Sequence, residues 1–413
     1  MLRNVSIGFI VSGSSVLGGA ETLIIRMLNW LRTNNYKTFA VIRKNDVFET
    51  SFFDRLSSEV DLIHYIDCDS ILPTFKSLNI EFETANRIIV ISMQNQFNYF
   101  LSEMIKIKYK KHNIQNYHYM IHENDFCRDK FINNKLIKSL FNKVYKNIVQ
   151  EMIDNNKFVF MDERYLSSIE ENYNLDIINP SIIRLGMSIL PFDKTMIKKR
   201  YDSYPITFTT ISRLEFPTKG YVLGLIDSFS SIVEKYPNKK LKLRIIGDGP
   251  NKNEMIKKID SKNFDTQNSI ETINTIHYDS IPGYLTDTRL FIGIATTLLD
   301  ASNLSCLPIT GLINSKESKT SGFFFENIVD LGYKGDKSMT EYMDQVINLD
   351  FNNYLKFCEH NYLEFKNTYD ININMDKWIN LAQSQNEILN KFQLNLIIYF
   401  RYIVDKLNKG ARK

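Results

Sequence analysis

The feature that most narrows what this chain can fold into is an alternation running through nearly all of it. Short apolar, β-branched stretches are followed again and again by longer stretches with apolar residues at helical spacing. Parallel strands cannot be joined by a tight turn, so a strand, a crossover helix and another strand are the natural solution to such a pattern. A first series places strands near 5–11, 38–43, 61–66, 87–92, 117–122, 158–161 and 181–185, with helices over 20–34, 93–110 and 134–153. A second series begins at ITFTTISRL (206–214) and continues through LKLRIIGDG (241–249), INTIHY (273–278), RLFIGI (289–294) and LPITGL (307–312), and from about 338 onward the pattern is helical. Between the two series lies LPFDKTMIKKRYDSYP (190–205), polar and bracketed by proline, which reads as a linker. The expectation is an α/β chain with parallel sheets, divided into a domain over 1–190, a linker over 191–205, a second domain over 206–370 and terminal helices over 371–413. Two α/β units joined in this way commonly bind a ligand in the cleft between them.

Composition supports two cores and removes several function classes. A chain of 413 residues with 44% hydrophobic content can bury the surface two domains need. A net charge of +4 argues neither for nor against nucleic acid, and no nucleic-acid partner is expected. Cys68, Cys127, Cys306 and Cys358 lie far apart with no C-x-x-C pair, which fits reduced thiols better than disulfides or a zinc site. No secretory leader pattern opens the sequence, and no apolar run approaches the roughly 20 residues that span a bilayer. A cytoplasmic protein is expected.

The first strand runs into VSGSSVLGGAETLIIRMLNWL, a glycine-containing turn before a helix. Gly13, Gly18 and Gly19 fit neither the spacing of a dinucleotide fingerprint nor that of a Walker loop. Glu21 stands where a phosphate would be repelled, so the turn reads as a contact loop with bare backbone and without a phosphate cradle.

The second series carries the sharper chemistry, in TTISRLEFPTKGYVLGLIDSF and the downstream IIGDGP. Arg213 and Lys219 follow a strand's carboxyl end, with Gly220 opening a helix. A guanidinium that can fork onto two oxygens and an ammonium point charge beside a helix N-terminus suit a diphosphate. A pair of solvated surface cations would read the same way by spacing alone.

Taken in order, GGAE at 18–21, Arg-Leu followed by Lys-Gly and a helix, and then IIGDGP resemble the GT-B glycosyltransferases, specifically retaining family four. The resemblance covers residues 5–312 and, more loosely, the helical tail. It implies two Rossmann-like domains facing across a cleft, with the C-terminal helices packing back on the N-terminal domain or resting on a membrane. It implies that Arg213 and Lys219 hold the donor's diphosphate and steady the charge that builds on the leaving nucleotide. Gly18 and Gly19 would let backbone approach the donor from the other domain, Gly247 and Gly249 would shape the turn beside the donor, and Asp248 would contact ligand or cap the next helix.

The family's acidic element, Glu-x7-Glu, should follow RLFIG, where this chain reads FIGIATTLLDASNLSCLPIT (291–310). Asp300, followed by Ala301, takes the second acidic position and would accept hydrogen bonds from the ribose. The first falls on Ile292, a departure that puts the contact to the sugar's hydroxyls in doubt. Thr296 and Thr297 would offer backbone N–H groups and hydroxyls to a phosphate at the helix start.

In NYHYMIHENDF (116–126), His118 and His122 lie four residues apart on an expected strand and so on one face. The resemblance makes His122 the catalytic-site histidine, with His118 a second candidate or a core residue. Glu21 and Glu123 are candidate acceptor contacts, with Asp125 and Glu163 weaker ones. His277 and the Cys358/His360 pair are scattered, so no metal site is expected.

The function these readings imply is transfer of a sugar from a UDP- or GDP-sugar to a glycan or lipid-linked hydroxyl acceptor, with retention, no metal and no other cofactor. The setting would be bacterial surface polysaccharide: O-antigen, capsule or lipopolysaccharide. Two alternatives stay open, a nucleotide-sugar epimerase of the same fold and a non-catalytic partner subunit of another glycosyltransferase. Lys106, Lys108, Lys110 and Lys111, together with Leu396, Phe400, Ile403 and Leu407 at helical spacing near the end, suit peripheral attachment to an anionic membrane face. A solvated lysine face and a packed terminal helix would look the same.

Overall fold

A computed structural model describes residues 5–13, 19–67, 75–82, 85–123, 125–126, 135–262, 264, 268–381, 388–395 and 397, the side chains of 135–138 and 140–142 apart. It divides into two compact units, Met1–Gly186 together with Ile371–Lys413, and Met187–Asp370.

The first unit is built on strands β1 (Val5–Ile10), β2 (Lys37–Arg43), β3 (Leu62–Ile66), β4 (Arg87–Ser92), β5 (Ile114–Met120), β6 (Phe158–Phe160) and β7 (Ser181–Ile182). They form one sheet in the order β3-β2-β1-β4-β5-β6-β7, every pairing parallel. Helices α1 (Gly19–Thr33), α2 (Thr50–Glu59), α3 (Gln96–Lys108), α4 (Lys135–Asp154) and α5 (Glu163–Tyr173) make the crossovers. Buried on both faces, β4 reads as a nearly continuous apolar run, RIIVIS. In this unit's core, Phe39, Val90, Phe100, Met104, Phe158 and Ile169 are buried.

The second unit repeats the plan. Its strands are β8 (Ile206–Ile211), β9 (Leu241–Ile246), β10 (Ser269–Ile273), β11 (Thr288–Gly293), β12 (Pro308–Gly311), β13 (Lys319–Phe323) and β14 (Lys337–Ser338), in the order β10-β9-β8-β11-β12-β13-β14. The last two pairings, β12 with β13 and β13 with β14, are antiparallel, which the alternation in sequence had not disclosed. Helices α6 (Lys194–Asp202), α7 (Tyr221–Lys235), α8 (Lys252–Asp260), α9 (Ile281–Tyr284), α10 (Thr296–Asn303), α11 (Met339–Asn348) and α12 (Phe351–Tyr369) complete it.

Three boundaries differ from expectation. The strand expected at 273–278 ends at Ile273, because β10 pairs with β9 from Ser269 onward. Strand β5 ends at Met120, two residues short of His122. The 191–205 stretch, read as a linker, carries α6, capped by the Asp193 side chain, and its Ile197 is buried in the second unit's core.

The chain returns to the first unit through α13 (Ile371–Asn380). There the Trp378 ring meets Tyr119 edge-on at 5.0 Å, and the Trp30 indole donates to Asn372 Oδ1 at 2.8 Å. Arg87 and the Tyr117 hydroxyl donate to backbone carbonyls at Ile379 and Leu381, closing the last turn. The terminal stripe of Leu396, Phe400, Ile403 and Leu407 lies outside the described residues.

Candidate functional site

In both sheets the first strand of the series sits between the second and the fourth, so the crossovers leave to opposite faces at that point. Above the carboxyl ends of those strands a crevice opens, and that is where α/β sheets bind ligands. In the second unit it lies between β8 and β11.

The loop after β8 is sewn to the loop after β9. Ser212 N–H donates to the Ile246 carbonyl at 2.9 Å, Leu214 N–H to that of Asp248 at 2.9 Å, and Phe216 N–H to Asn251 Oδ1 at 2.9 Å. Gly247 and Gly249 make this seam possible. Both have positive φ, 143° and 159°, and a Cβ on either would run into the carbonyl oxygens of Ser212 and Leu214. Thus RLE and GDG are two halves of one packed turn, and the glycines shape the mount of Arg213. Asp248 turns back on the same segment, its Oδ1 accepting from Gly249 N–H at 2.8 Å.

On that mount Arg213 stands two-thirds exposed, its Nε 3.4 Å from Glu215, itself half exposed. Lys219 is half-buried just ahead of α7, its N–H donating to the Glu215 carbonyl at 2.8 Å. Burial pulls the Lys219 ammonium below the ordinary lysine value, with the Glu215 carboxylate drawing it partly back. An ammonium held where water solvates it poorly gains more than usual from an incoming anion.

Helix α10 faces the crevice from the β11 side. It begins directly after Ala295, whose φ of 53° and ψ of −134° suit glycine far better than alanine. The Ala295 N–H is held by the Leu331 carbonyl at 2.9 Å, while the Asp330 carboxylate fixes the turn beyond through the N–H groups of Gly332 and Tyr333. The turn delivers Thr296 and Thr297, both half-buried, at the helix start, where the first N–H groups lack intrahelical acceptors. Thr297 Oγ1 donates to the Ile294 carbonyl at 2.9 Å. One turn on, Asp300 accepts at 2.7 Å from the hydroxyl of Tyr278, a half-exposed aromatic on the loop after β10. The structure thus brings Arg213, Lys219, Gly247, Thr296, Thr297 and Asp300 to one edge of one sheet. Ile292, the uncharged residue at the first acidic position, is fully buried in β11 and belongs to the unit's core. A carboxylate there would face the interior.

The first unit's crevice lies between β1 and β4. Gly19 opens α1 with free space around it, and Gly18 lies outside the described residues. Glu21 is buried and accepts from Gln94 Nε2 at 3.0 Å, so it is engaged within the fold. Glu123 pairs with Arg164 at 2.5 Å, and Glu163 pairs with Arg184.

The two histidines part company. His118 is fully buried mid-strand, stacked on Phe158 at 5.5 Å with its Nδ1 3.1 Å from Ser92 Oγ, and burial drops its pKa to about 3. His122 lies beyond the strand end and is exposed, so the shared face expected for the pair does not form. Below His122, the buried Asp125 carboxylate accepts from the N–H groups of Ile121 and His122 at 3.2 Å. Burial lifts the Asp125 pKa to about 7, against the pull of those two bonds.

Of the lysine run, Lys106 is buried, Lys108 donates to the Leu78 carbonyl, and Lys110 and Lys111 are exposed. Cys306 and Cys358 are buried thiols, while Cys68 and Cys127 lie outside the described residues. No helix among the described residues is long and apolar enough to cross a membrane. No group of three or more metal-ligating side chains forms among them either.

Sequence reasoning missed Gln94, Tyr278 and the strained Ala295. Gln94 and Ala295 sit where strand order, once known, would have directed attention: just past the ends of β4 and β11.

No protein-family model matches the sequence, and no curated protein matches it. Solved structures do resemble it. A glycosyltransferase from Rickettsia africae aligns with a TM-score of 0.61 at 17% identity, covering 94% of this chain and 99% of its own. A TarM variant from S. aureus, solved with fondaparinux, α-GlcNAc-glycerol and UDP, gives 0.55 at 12% identity, covering 91% and 99%. The apo form of WaaB, a lipopolysaccharide outer core galactosyltransferase, gives 0.52 at 12% identity, covering 91% and 99%. At such identities the likeness is one of fold, and the fold is the two-domain α/β architecture called GT-B.

Proposed function

We propose that this chain is a glycosyltransferase moving a hexose or a related sugar from a nucleoside-diphosphate donor to a hydroxyl acceptor, with retention at the transferred carbon. One observation carries the reading. Beside the second unit's switch point, a half-buried ammonium (Lys219) and an exposed guanidinium (Arg213) lie at the same sheet edge as the start of α10.

A diphosphate there gains negative charge as the sugar departs. Lys219 and Arg213 stabilise that charge most when it is largest, which lowers the barrier and does not merely tighten binding. They also supply the positive charge a divalent ion would otherwise bring. Thr296 and Thr297 offer N–H groups and hydroxyls to the same phosphates, and Asp300 accepts from a ribose hydroxyl once Tyr278 releases it. The departing phosphate oxygen takes the proton of the incoming hydroxyl on the face it leaves, which preserves configuration. His122, exposed at the end of β5, contacts the sugar or the acceptor. UDP in the TarM complex makes UDP the first donor nucleotide to try, with GDP second. A bacterial surface glycan on a lipid carrier is the acceptor class we favour, made by a cytoplasmic enzyme at the inner membrane face.

The test is nucleotide binding by the purified protein, read as thermal stabilisation and calorimetric affinity. UDP or GDP should stabilise it, and Arg213→Ala and Lys219→Ala should each weaken binding on the order of 10- to 100-fold, with circular dichroism unchanged. Unaltered affinity in both variants would overturn the donor assignment. Incubation with donor sugar alone should return it unchanged, whereas an isomerised sugar would make the chain an epimerase. Flotation with anionic liposomes at low salt tests membrane attachment.

A further inference from the structure

We infer that Gln94 is a positioning residue that ties the chain just past β1 to the first turn of α1. This rests on the reading of the chain as a sugar transferase, with the start of α1 at the first unit's switch point.

Gln94 is the second residue after β4, and its φ of 73° is uncommon for a side chain of its kind. Backbone in that region persists when its surroundings over-determine it. Here the surroundings are two bonds to the two ends of one segment. Gln94 Oε1 accepts from Ser12 N–H at 3.1 Å, just past β1, and Gln94 Nε2 donates to Glu21 Oε1 at 3.0 Å in the first turn of α1. A single amide therefore ties the chain just past β1 to the start of α1, accepting through its oxygen and donating through its nitrogen.

The mount is reinforced from both sides. Asn95 Nδ2 donates to Ser12 Oγ at 2.9 Å, and Ser12 Oγ donates to Asn98 Oδ1 at 3.0 Å. From β2's side, Asp46 Oδ2 accepts from Gly13 N–H at 3.0 Å, where a Cβ on Gly13 would strike the Val47 carbonyl. Asn95 also caps α3 through the N–H groups of Phe97 and Asn98, so the clamp is anchored in a helix start. This arrangement fixes the backbone at Ser12 and Gly13, and among these bonds the two of Gln94 reach both Ser12 and Glu21.

An exchange of the two side chains tests it. Gln94→Glu keeps the acceptor for Ser12 but sets a carboxylate against Glu21. Glu21→Gln keeps a carbonyl oxygen for the Gln94 amide. The double exchange keeps the bond from Ser12 N–H and rebuilds the bond between positions 94 and 21 with donor and acceptor reversed. Gln94→Glu should lower kcat on the order of 10- to 100-fold through misplacement, with nucleotide affinity within about two-fold of the parent. It should also speed amide hydrogen exchange across 12–21 by at least about ten-fold. Glu21→Gln should stay within about three-fold, and the double exchange should recover both readouts to within about three-fold. Parental kcat and exchange in Gln94→Glu, or a double exchange no better than the single, overturns the inference. Should the parent bind no nucleotide and transfer no sugar, the function proposed above fails, and the exchange readout alone decides the role of Gln94.

Discussion

The two sheets share one strand order, yet their switch points are furnished in opposite ways. In the first unit Ser12, Glu21, Gln94, Asn95 and Asn98 bond to one another, an uncharged mesh around one buried carboxylate. In the second, Arg213 and Lys219 both have the neighbouring Glu215 as their charged partner among the described residues, with the start of α10 at the same sheet edge. One crevice is lined by side chains bonded to one another, whereas the other carries an exposed guanidinium and a half-buried ammonium. Topology decides where a crevice lies. Residues decide whether it is a mount or a receptor.

The cores differ too, and the largest predicted effect lies there. The first unit seals Lys157 against Glu103 at 2.8 Å, both side chains fully buried, with the Tyr99 hydroxyl and Asn116 Nδ2 on the same carboxylate oxygen. Lys157→Met should cost about 3–5 kcal/mol in urea unfolding, because it strands a buried charge, and Lys157→Met with Glu103→Leu should cost less than the single change. The nearest counterpart in the second unit, Arg244 with Glu271 and Asp287, keeps about a third of each carboxylate in water. Asp287→Asn should cost only about 1 kcal/mol. Equal losses would erase the contrast.

A middle-sized effect concerns pH and belongs to the first unit. Asp125 titrates at about 7 in the fold, above the ~3.9 of an unfolded chain, so its stabilisation is complete below that lower value and is lost as pH rises to 7. His118 titrates at about 3, below the ~6.5 of an unfolded chain, so its stabilisation is present above 6.5 and is lost as pH falls. Between about pH 4 and 6.5 the two slopes oppose each other. Asp125→Asn should leave stability rising with pH across that window, and His118→Gln should leave it falling, as read from urea midpoints. Parallel slopes in the two variants would refute the pairing.

The smallest effect is local to the second unit. Ala295→Gly should relieve the helix-start strain and raise stability by up to about 1 kcal/mol, seen as a higher unfolding midpoint, while keeping nucleotide affinity. A loss of stability would mean the turn is not strained.

Much of the fold was legible in the sequence because buried parallel strands are rich in apolar and β-branched residues, as RIIVIS of β4 and ITFTTI of β8 are. The antiparallel β13 and β14 were not, since KTSGF and KS lack both an apolar run and strict alternation. Arg213 and Lys219 could be singled out because cations after a strand are visible in one dimension. Gln94 could not, because its meaning depends on Ser12 and Glu21, which adjoin it only once β1 and β4 pair. His118 and His122 were misjudged as a pair through a strand end placed two residues too late.

The return of α13 to the first unit has a consequence for synthesis. Everything needed for the second unit leaves the ribosome before the strip carrying Trp378, Ile379 and Leu381 does. The amino-terminal half, begun earliest, is therefore finished last, and until then it exposes Trp30, Tyr117 and Tyr119 without their covering helix. A released chain truncated at residue 370 should hold one completed unit and one in need of a chaperone.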